Sequence, residues 1–290
     1  MGHRLFILIL SFLLPLSLSA AEVQIPSFSP RTVLQAIEKA YPDQVRELSY
    51  REGDWTVNVN GTVFYWAEGR MLPRDLRAAF KSFSAYPFYQ YSSEYDPPLP
   101  VYSDAEKERL KSWFREREEH PVNRHPGFYN ALFGMKDRDS AAAQMEKISL
   151  FGFTVEVHRT LVPALVRIES DVRQTNDPQL DEYLESLRYI AGFNWRVIAG
   201  TDSLSNHSYG TALDLVPSDY KGKQVYWLWY KNSFSDPEWF TLPREERYKP
   251  PEALVRAFEA EGFIWGGKWI FFDGMHFEYR PEILILNGLL

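Results

Sequence analysis

Cysteine is absent from all 290 positions. That excludes disulfides, thiolate nucleophiles, cysteine-ligated zinc and an N-terminal lipid-modified cysteine. Basic residues are in the minority, with 32 Lys and Arg against 39 Asp and Glu and no basic run. An acidic chain of this kind lacks the electrostatic footprint of a nucleic-acid binder. Beyond the first twenty residues no stretch is long and apolar enough to span a bilayer. No internal repeat is present. What remains is a chain that must fold on a conventional core, with histidine and carboxylates as its only strong metal ligands.

The one long apolar run has a specific form. Arg4 supplies a positive start, Leu5 to Leu18 is almost wholly apolar, and Ser19–Ala20–Ala21 offers small residues before Glu22. Those three parts make residues 1–21 a secretory signal peptide, so the mature protein is expected to be secreted or periplasmic with no membrane span. Pro15 and the short run argue against a retained anchor. Cleavage removes one Arg and moves the formal charge from −7 to about −8. About 270 mature residues suffice for one large domain or two modest ones. The expected division is an N-terminal region of unknown role over 22–125 and a second unit over 126–290. The nine Trp are expected mostly in the core.

Local patterns give the elements. Ser29 caps a helix with Pro30 in its first turn, and Val33, Ile37 and Tyr41 share a face. Trp55–Val59 and Thr62–Trp66 flank Asn60–Gly61, a type I′ hairpin. Residues 86–102 are rich in Pro, Tyr and Ser, without periodicity, and are expected as extended chain or linker. Ser103–Asp104–Ala105–Glu106 is a capping box for a charged helix whose apolar residues are Leu110, Trp113 and Phe114. Helices are also expected over 128–133, 140–150, the stretch after Thr160, 180–190 and 252–261, with strands at 153–158 and 193–198. Residues 217–248 form a Trp-rich segment resembling an insertion.

Two stretches concentrate the chemistry. In Ser205–Leu215, His207 and Asp214 are separated by Gly210, and alternation puts Ala212, Asp214 and Val216 on one strand face. A carboxylate on so apolar a strand is costly to bury unless paired or metal-bound. In Asp273–Glu278, His276 supplies a second imidazole. Two imidazoles and one carboxylate leave a coordination position open for water, the layout of a catalytic rather than a structural zinc. Asp273, across the flexible Gly274, is placed to take a proton from attacking water. Glu278 shares a strand face with His276 and is either an acceptor for that ring or a competing base. Arg196 is the cation placed to meet an oxyanion or a substrate carboxylate. On spacing alone, a capping Asp and a buried hydrogen-bonded His would account for the same residues.

The pattern Ser205-x-His207-x-x-Gly210-x-Ala212-x-Asp214, then Trp265–Gly266–Gly267-x-Trp269 and Asp273-x-x-His276–Phe277–Glu278, resembles the D-alanyl-D-alanine carboxypeptidase and L-alanyl-D-glutamate endopeptidase family of zinc metallopeptidases, which includes vancomycin-resistance peptidases and several phage endolysins. The resemblance covers roughly 145–290. It implies an α+β fold with a mainly antiparallel central sheet and packed helices, of the hedgehog/D,D-peptidase kind, here following an N-terminal α+β region that contains the hairpin. It implies zinc on His207, Asp214 and His276, a base at Asp273, an arginine at Arg196, and Ser205, Trp265, Trp269 and Glu278 as substrate-binding or supporting residues. The implied reaction is hydrolysis of a peptide bond in the peptidoglycan stem. The alternative is a non-catalytic, zinc-containing cell-wall binding or scaffolding protein. An Asp base leans toward the endopeptidases and larger carboxypeptidases.

Overall fold

A computed structural model of the chain describes residues 28–290. The signal-peptide expectation falls on residues outside that range. The first helix, α1 (Pro30–Ala40), begins where Ser29 Oγ accepts the Thr32 N–H and buries Val33, Leu34, Ala36 and Ile37. Four strands follow as an antiparallel meander, β1 (Val45–Arg51), β2 (Asp54–Val59), β3 (Thr62–Tyr65) and β4 (Leu72–Pro73). The β2–β3 turn carries positive φ at both Asn60 (47°) and Gly61 (86°), as a type I′ turn requires.

Residues 84–103 are irregular but anchored. Tyr91 Oη donates to Glu259 Oε1 at 2.6 Å and accepts the Trp265 N–H at 2.8 Å. Tyr95 stacks on Trp265 with centroids 5.5 Å apart. Helix α2 (Asp104–Glu119) starts at the full Ser103/Glu106 capping box. Its Leu110 and Phe114 pack on Trp239 and Phe240 of the Trp-rich segment. Short helices α3 (Gly127–Leu132) and α4 (Arg138–Ala142) follow.

Here the structure departs from the expected helix over 140–150. Met145–Leu150 is strand β5, paired with β6 (Phe153–His158). The two-residue turn between them holds Phe151 at φ 50° and Gly152 at φ 88°. A phenylalanine in a position that favours Asn or Asp conceals the hairpin from a reading of turn residues. Helix α5 (Val162–Gln174), expected after Thr160, has Pro163 in its first turn, and α6 (Pro178–Ser186) ends earlier than expected. Leu187–Ala191 becomes strand β7 because it pairs with β8 (Ala212–Pro217), Ile190 opposite Leu215. The expected strand at 193–198 is reduced to one bridge, Val197 with Leu204.

Helix α7 (Trp227–Phe234) lies in the Trp-rich segment, and α8 (Glu252–Ala260) stops before Gly262 at φ 93°. Strand β9 (Phe263–Trp265), strand β10 (His276–Tyr279) and helix α9 (Pro281–Leu286) complete the chain. The central sheet is antiparallel with order β7-β8-β10-β9, which bears out the α+β class. Alternation divides its two faces. Leu213, Leu215 and Phe277 point into a core with Leu165 and Ile168 of α5 and Leu254 and Phe258 of α8. Each such fully buried side chain contributes about 1.5–3 kcal/mol. Ala212, Asp214, His276 and Glu278 lie on the opposite face. Among the described residues no helix is long and apolar enough to cross a membrane.

Candidate metal centre

Strand register does most of the assembly. In the β8–β10 pair His276 stands directly opposite Asp214 and Glu278 opposite Ala212. His276 Nδ1 lies 2.8 Å from Asp214 Oδ1. His207 comes from a single 3₁₀ turn, Asn206–Tyr209, and Ser205 caps that turn by accepting the His207 N–H at 3.3 Å. Gly210 closes the turn at φ 63°. A Cβ at Gly210 would lie 2.3 Å from Met145 Sδ and 2.7 Å from the His158 nitrogen, so both backbone shape and space demand glycine there. The turn returns His207 over β8 with Nε2 3.2 Å from Asp214 Oδ2.

The donor set fits a zinc ion. His207 Nδ1 sits 2.7 Å from the Gly192 carbonyl, which can only accept, so Nδ1 carries the proton and Nε2 presents a lone pair. That Nε2 is buried without a hydrogen-bond partner and faces a carboxylate oxygen. Two electron-rich atoms pointing at one another call for a cation between them. His276 is arranged the same way from its other side, Nε2 resting 3.3 Å from Glu278 Oε2 and leaving Nδ1 toward Asp214. Ligand atoms of His207, Asp214 and His276 all lie within 4.8 Å of one another. Tetrahedral bonds near 2.05 Å place ligand atoms about 3.3 Å apart, against 3.2 Å from His207 Nε2 to Asp214 Oδ2 and 2.8 Å from His276 Nδ1 to Asp214 Oδ1.

Electrostatics agree. Burial alone would raise the Asp214 carboxyl, but the facing imidazoles of His207 and His276 outweigh it and hold it well below the carboxylate range. Burial alone would lower His276, yet its contacts with Asp214 and Glu278 raise it well above an ordinary imidazole. Glu278 is opposed by burial and lowered to about 2 by His276, Arg280 and Asn206. Its Oε2 also accepts Asn206 Nδ2 at 2.6 Å, and its Oε1 lies 3.4 Å from Arg280 Nη1. Glu278 therefore acts through His276, which it orients.

Asp273 sits on the loop before β10, its Oδ1 buried with no hydrogen-bond partner among the described residues. Burial pushes its carboxyl up to about 7, partly countered by His276. The Trp-Gly-Gly-x-Trp run builds that loop. Asp273 N–H donates to the Gly266 carbonyl at 3.0 Å, and a Cβ on Gly266 would meet the Asp273 carbonyl at 2.7 Å. Trp265 is wholly buried, and its Nε1 donates to the Gly274 carbonyl at 2.9 Å, so it positions the loop. The Trp269 ring lies 5.6 Å from that of His276. Arg196 is exposed, makes no ion pair among the described residues, and its charge acts on Asp273 and Tyr226. Its backbone is tied to Ser208 and Ser205, beside His207.

Several contributors carried no signal in the sequence. Gly192 fixes the His207 ring through a carbonyl that any residue would possess. Asn206 lies within the motif but its reach to Glu278 depends on the turn. Tyr226 is bridged to Asp273 across the sheet edge, and burial, then Asp273, raises its hydroxyl to about 12.

Residues 199–279 match the model of the D-alanyl-D-alanine carboxypeptidase family, the family that the motifs resemble. The match runs from before Ser205 through Glu278 and so contains the whole metal group. Peptidases of that family are zinc-dependent, in agreement with the His-Asp-His group. Residues 33–88 match a domain of unknown function (DUF8518). No solved structure matches the chain.

Proposed function

We propose that the chain is a secreted or periplasmic zinc peptidase that hydrolyses a peptide bond of the peptidoglycan stem, of the D-Ala-D-Ala carboxypeptidase or L-Ala-D-Glu endopeptidase type. The observation that carries this reading is the buried carboxyl of Asp273, whose Oδ1 has no hydrogen-bond partner among the described residues, beside a His-Asp-His group that lies within the family match. A purely structural metal would have no use for it.

Zinc held by His207, Asp214 and His276 supplies Lewis acidity that polarises a carbonyl and acidifies water. The protein supplies the rest. Gly192 and Glu278 fix the two imidazoles so that no ligand must reorganise. Asp273 accepts the proton of the attacking water and returns it to the leaving amine, a role suited to a carboxyl raised toward neutrality. Arg196, free of any carboxylate among the described residues, meets the negative charge that develops on the carbonyl oxygen. Asp as the base favours an endopeptidase or one of the larger carboxypeptidases.

The test is mass spectrometry of products released from purified sacculi by the zinc-loaded chain and by Asp273→Asn. The expected result is one defined peptide bond cut by the parent and none by the variant. Sacculus binding without released peptides, at full zinc occupancy, would favour a non-catalytic cell-wall protein instead.

A further inference from the structure

Two arginines of the N-terminal half stand out by what they lack. Among the described residues, every other buried or half-buried arginine ends on a carboxylate or on at least two backbone carbonyls. Arg117 and Arg124 do not. The Arg117 guanidinium rests only on rings, 5.1 Å from the Trp113 centroid and 5.2 Å from that of Phe271. Arg124 makes a single side-chain bond, Nε to the Ala85 carbonyl at 3.2 Å, which leaves both terminal nitrogens unengaged. In a chain of net charge −7, with carboxylates in excess, two half-buried guanidinium groups without a carboxylate are unexpected.

Both belong to one segment that touches two loops of the metal group. At one end, Trp113 packs on Phe271 with centroids 5.9 Å apart, two residues before Asp273. At the other, Val122 O accepts the Asp202 N–H at 3.0 Å and Ser203 Oγ at 2.9 Å, and Ser203 Oγ accepts the Arg124 N–H at 2.9 Å. Ser203 lies four residues before His207. Residues 113–124 thus run from the loop of the base to the loop of a metal ligand, with Arg196 on that second loop. Burial, then the charge of Arg124, lowers the Arg117 guanidinium to about 10. Burial lowers Arg124 as well, opposed by Tyr86 and Tyr129 and reinforced by Arg280, with Glu278 opposing last.

We infer that residues 113–124 form an anion-binding wall of the substrate cleft, and that Arg117 and Arg124 take a carboxylate of the peptide away from the bond being cut. This rests on the peptidase reading and assigns it a substrate class, an acidic peptide. The carboxylates of Asp214, Asp273 and Glu278 otherwise disfavour such a ligand, and an arginine fork is suited to accept one in bidentate geometry. The wall lies outside the matched family segment, so the N-terminal half supplies specificity to a centre that the C-terminal half builds.

The carboxylate has two sources on a stem peptide, the glutamyl residue and the C-terminus. The experiment uses the full chain as zinc-loaded Asp273→Asn, which leaves the peptide uncut. Calorimetry compares a synthetic stem peptide in three forms: free, amidated at the glutamyl carboxylate, and amidated at the C-terminus. One amidation is expected to weaken binding about 10- to 100-fold and so name the source. Adding Arg124→Gln or Arg117→Gln is expected to erase most of that discrimination, and Arg124→Lys to restore part of it. Zinc stoichiometry and a thermal melt identify any variant that fails to fold, and the other variant then decides. An affinity indifferent to both amidations, or discrimination intact in both Gln variants, overturns the inference. Intact discrimination in a chain whose Asp273 form cuts neither bond would instead overturn the peptidase reading alone.

Discussion

Replacing Glu278 by Gln tests whether the metal centre depends on its supporting carboxylate. Three donors converge on Glu278: His276 Nε2 at 3.3 Å, Asn206 Nδ2 at 2.6 Å and Arg280 Nη1 at 3.4 Å. A carboxylate accepts all three through two oxygens. An amide accepts through one, so its NH₂ must face either Arg280 or the His276–Asn206 pair, donor against donor. Turning the oxygen toward His276 keeps the ring bond but removes its charge. Arg280 then keeps Glu282 and the Pro87 carbonyl, so the fold should survive. The cost falls on zinc: loss of an outer-shell partner weakens affinity by about 10- to 100-fold, equivalent to about 1.4–2.7 kcal/mol. Competition against a chromophoric chelator at neutral pH measures it. A folded Glu278→Gln chain that binds zinc as tightly as the parent would refute the idea that Glu278 orients His276.

Asp273→Asn should retain zinc and lose activity by about 10²- to 10⁴-fold, read as product release at full metal occupancy. The same substitution makes a pH prediction for the metal-free chain. Burial raises Asp273 to about 7 when folded, against about 3.9 unfolded, so the folded state holds the extra proton and loses stability as pH rises between those values. The melting-temperature advantage of Asn should therefore grow across that window and level off above it; a constant difference refutes it. Gly210→Ala must place a Cβ 2.3 Å from Met145 Sδ at φ 63°, and strain plus overpacking should cost about 2–4 kcal/mol, visible in thermal denaturation. Phe114→Ala empties a cluster with Trp239, Phe240 and Phe271. About 3–5 kcal/mol of destabilisation is expected in denaturant titrations, with α2 the first element to lose amide-exchange protection.

Wherever the determinants were local, the sequence was sufficient. The Ser29 cap, the Asn60–Gly61 turn and the Ser103 capping box involve residues within a few positions, and each was found where expected. The errors share a cause. Met145–Leu150 and Leu187–Ala191 became strands because of partners, β6 across a turn with no typical turn residue and β8 some twenty-five residues on. Strand pairing overrides local periodicity in such cases.

The metal group divides along the same line. Sequence alone determined its members: without cysteine, a zinc site had only histidine and carboxylates to draw on, and the two motifs supplied them. Tertiary structure decided their roles. It set His276 opposite Asp214 by strand register, tied His207 to Gly192, aimed Glu278 at a ring rather than a substrate, and buried Trp265 behind the Asp273 loop. It also packed residues 113–124 against Phe271 and Ser203, in the loops that lead to Asp273 and His207. The identity of a ligand follows from its chemistry, which sequence records directly; what it faces depends on pairings between distant segments, which only the folded chain creates.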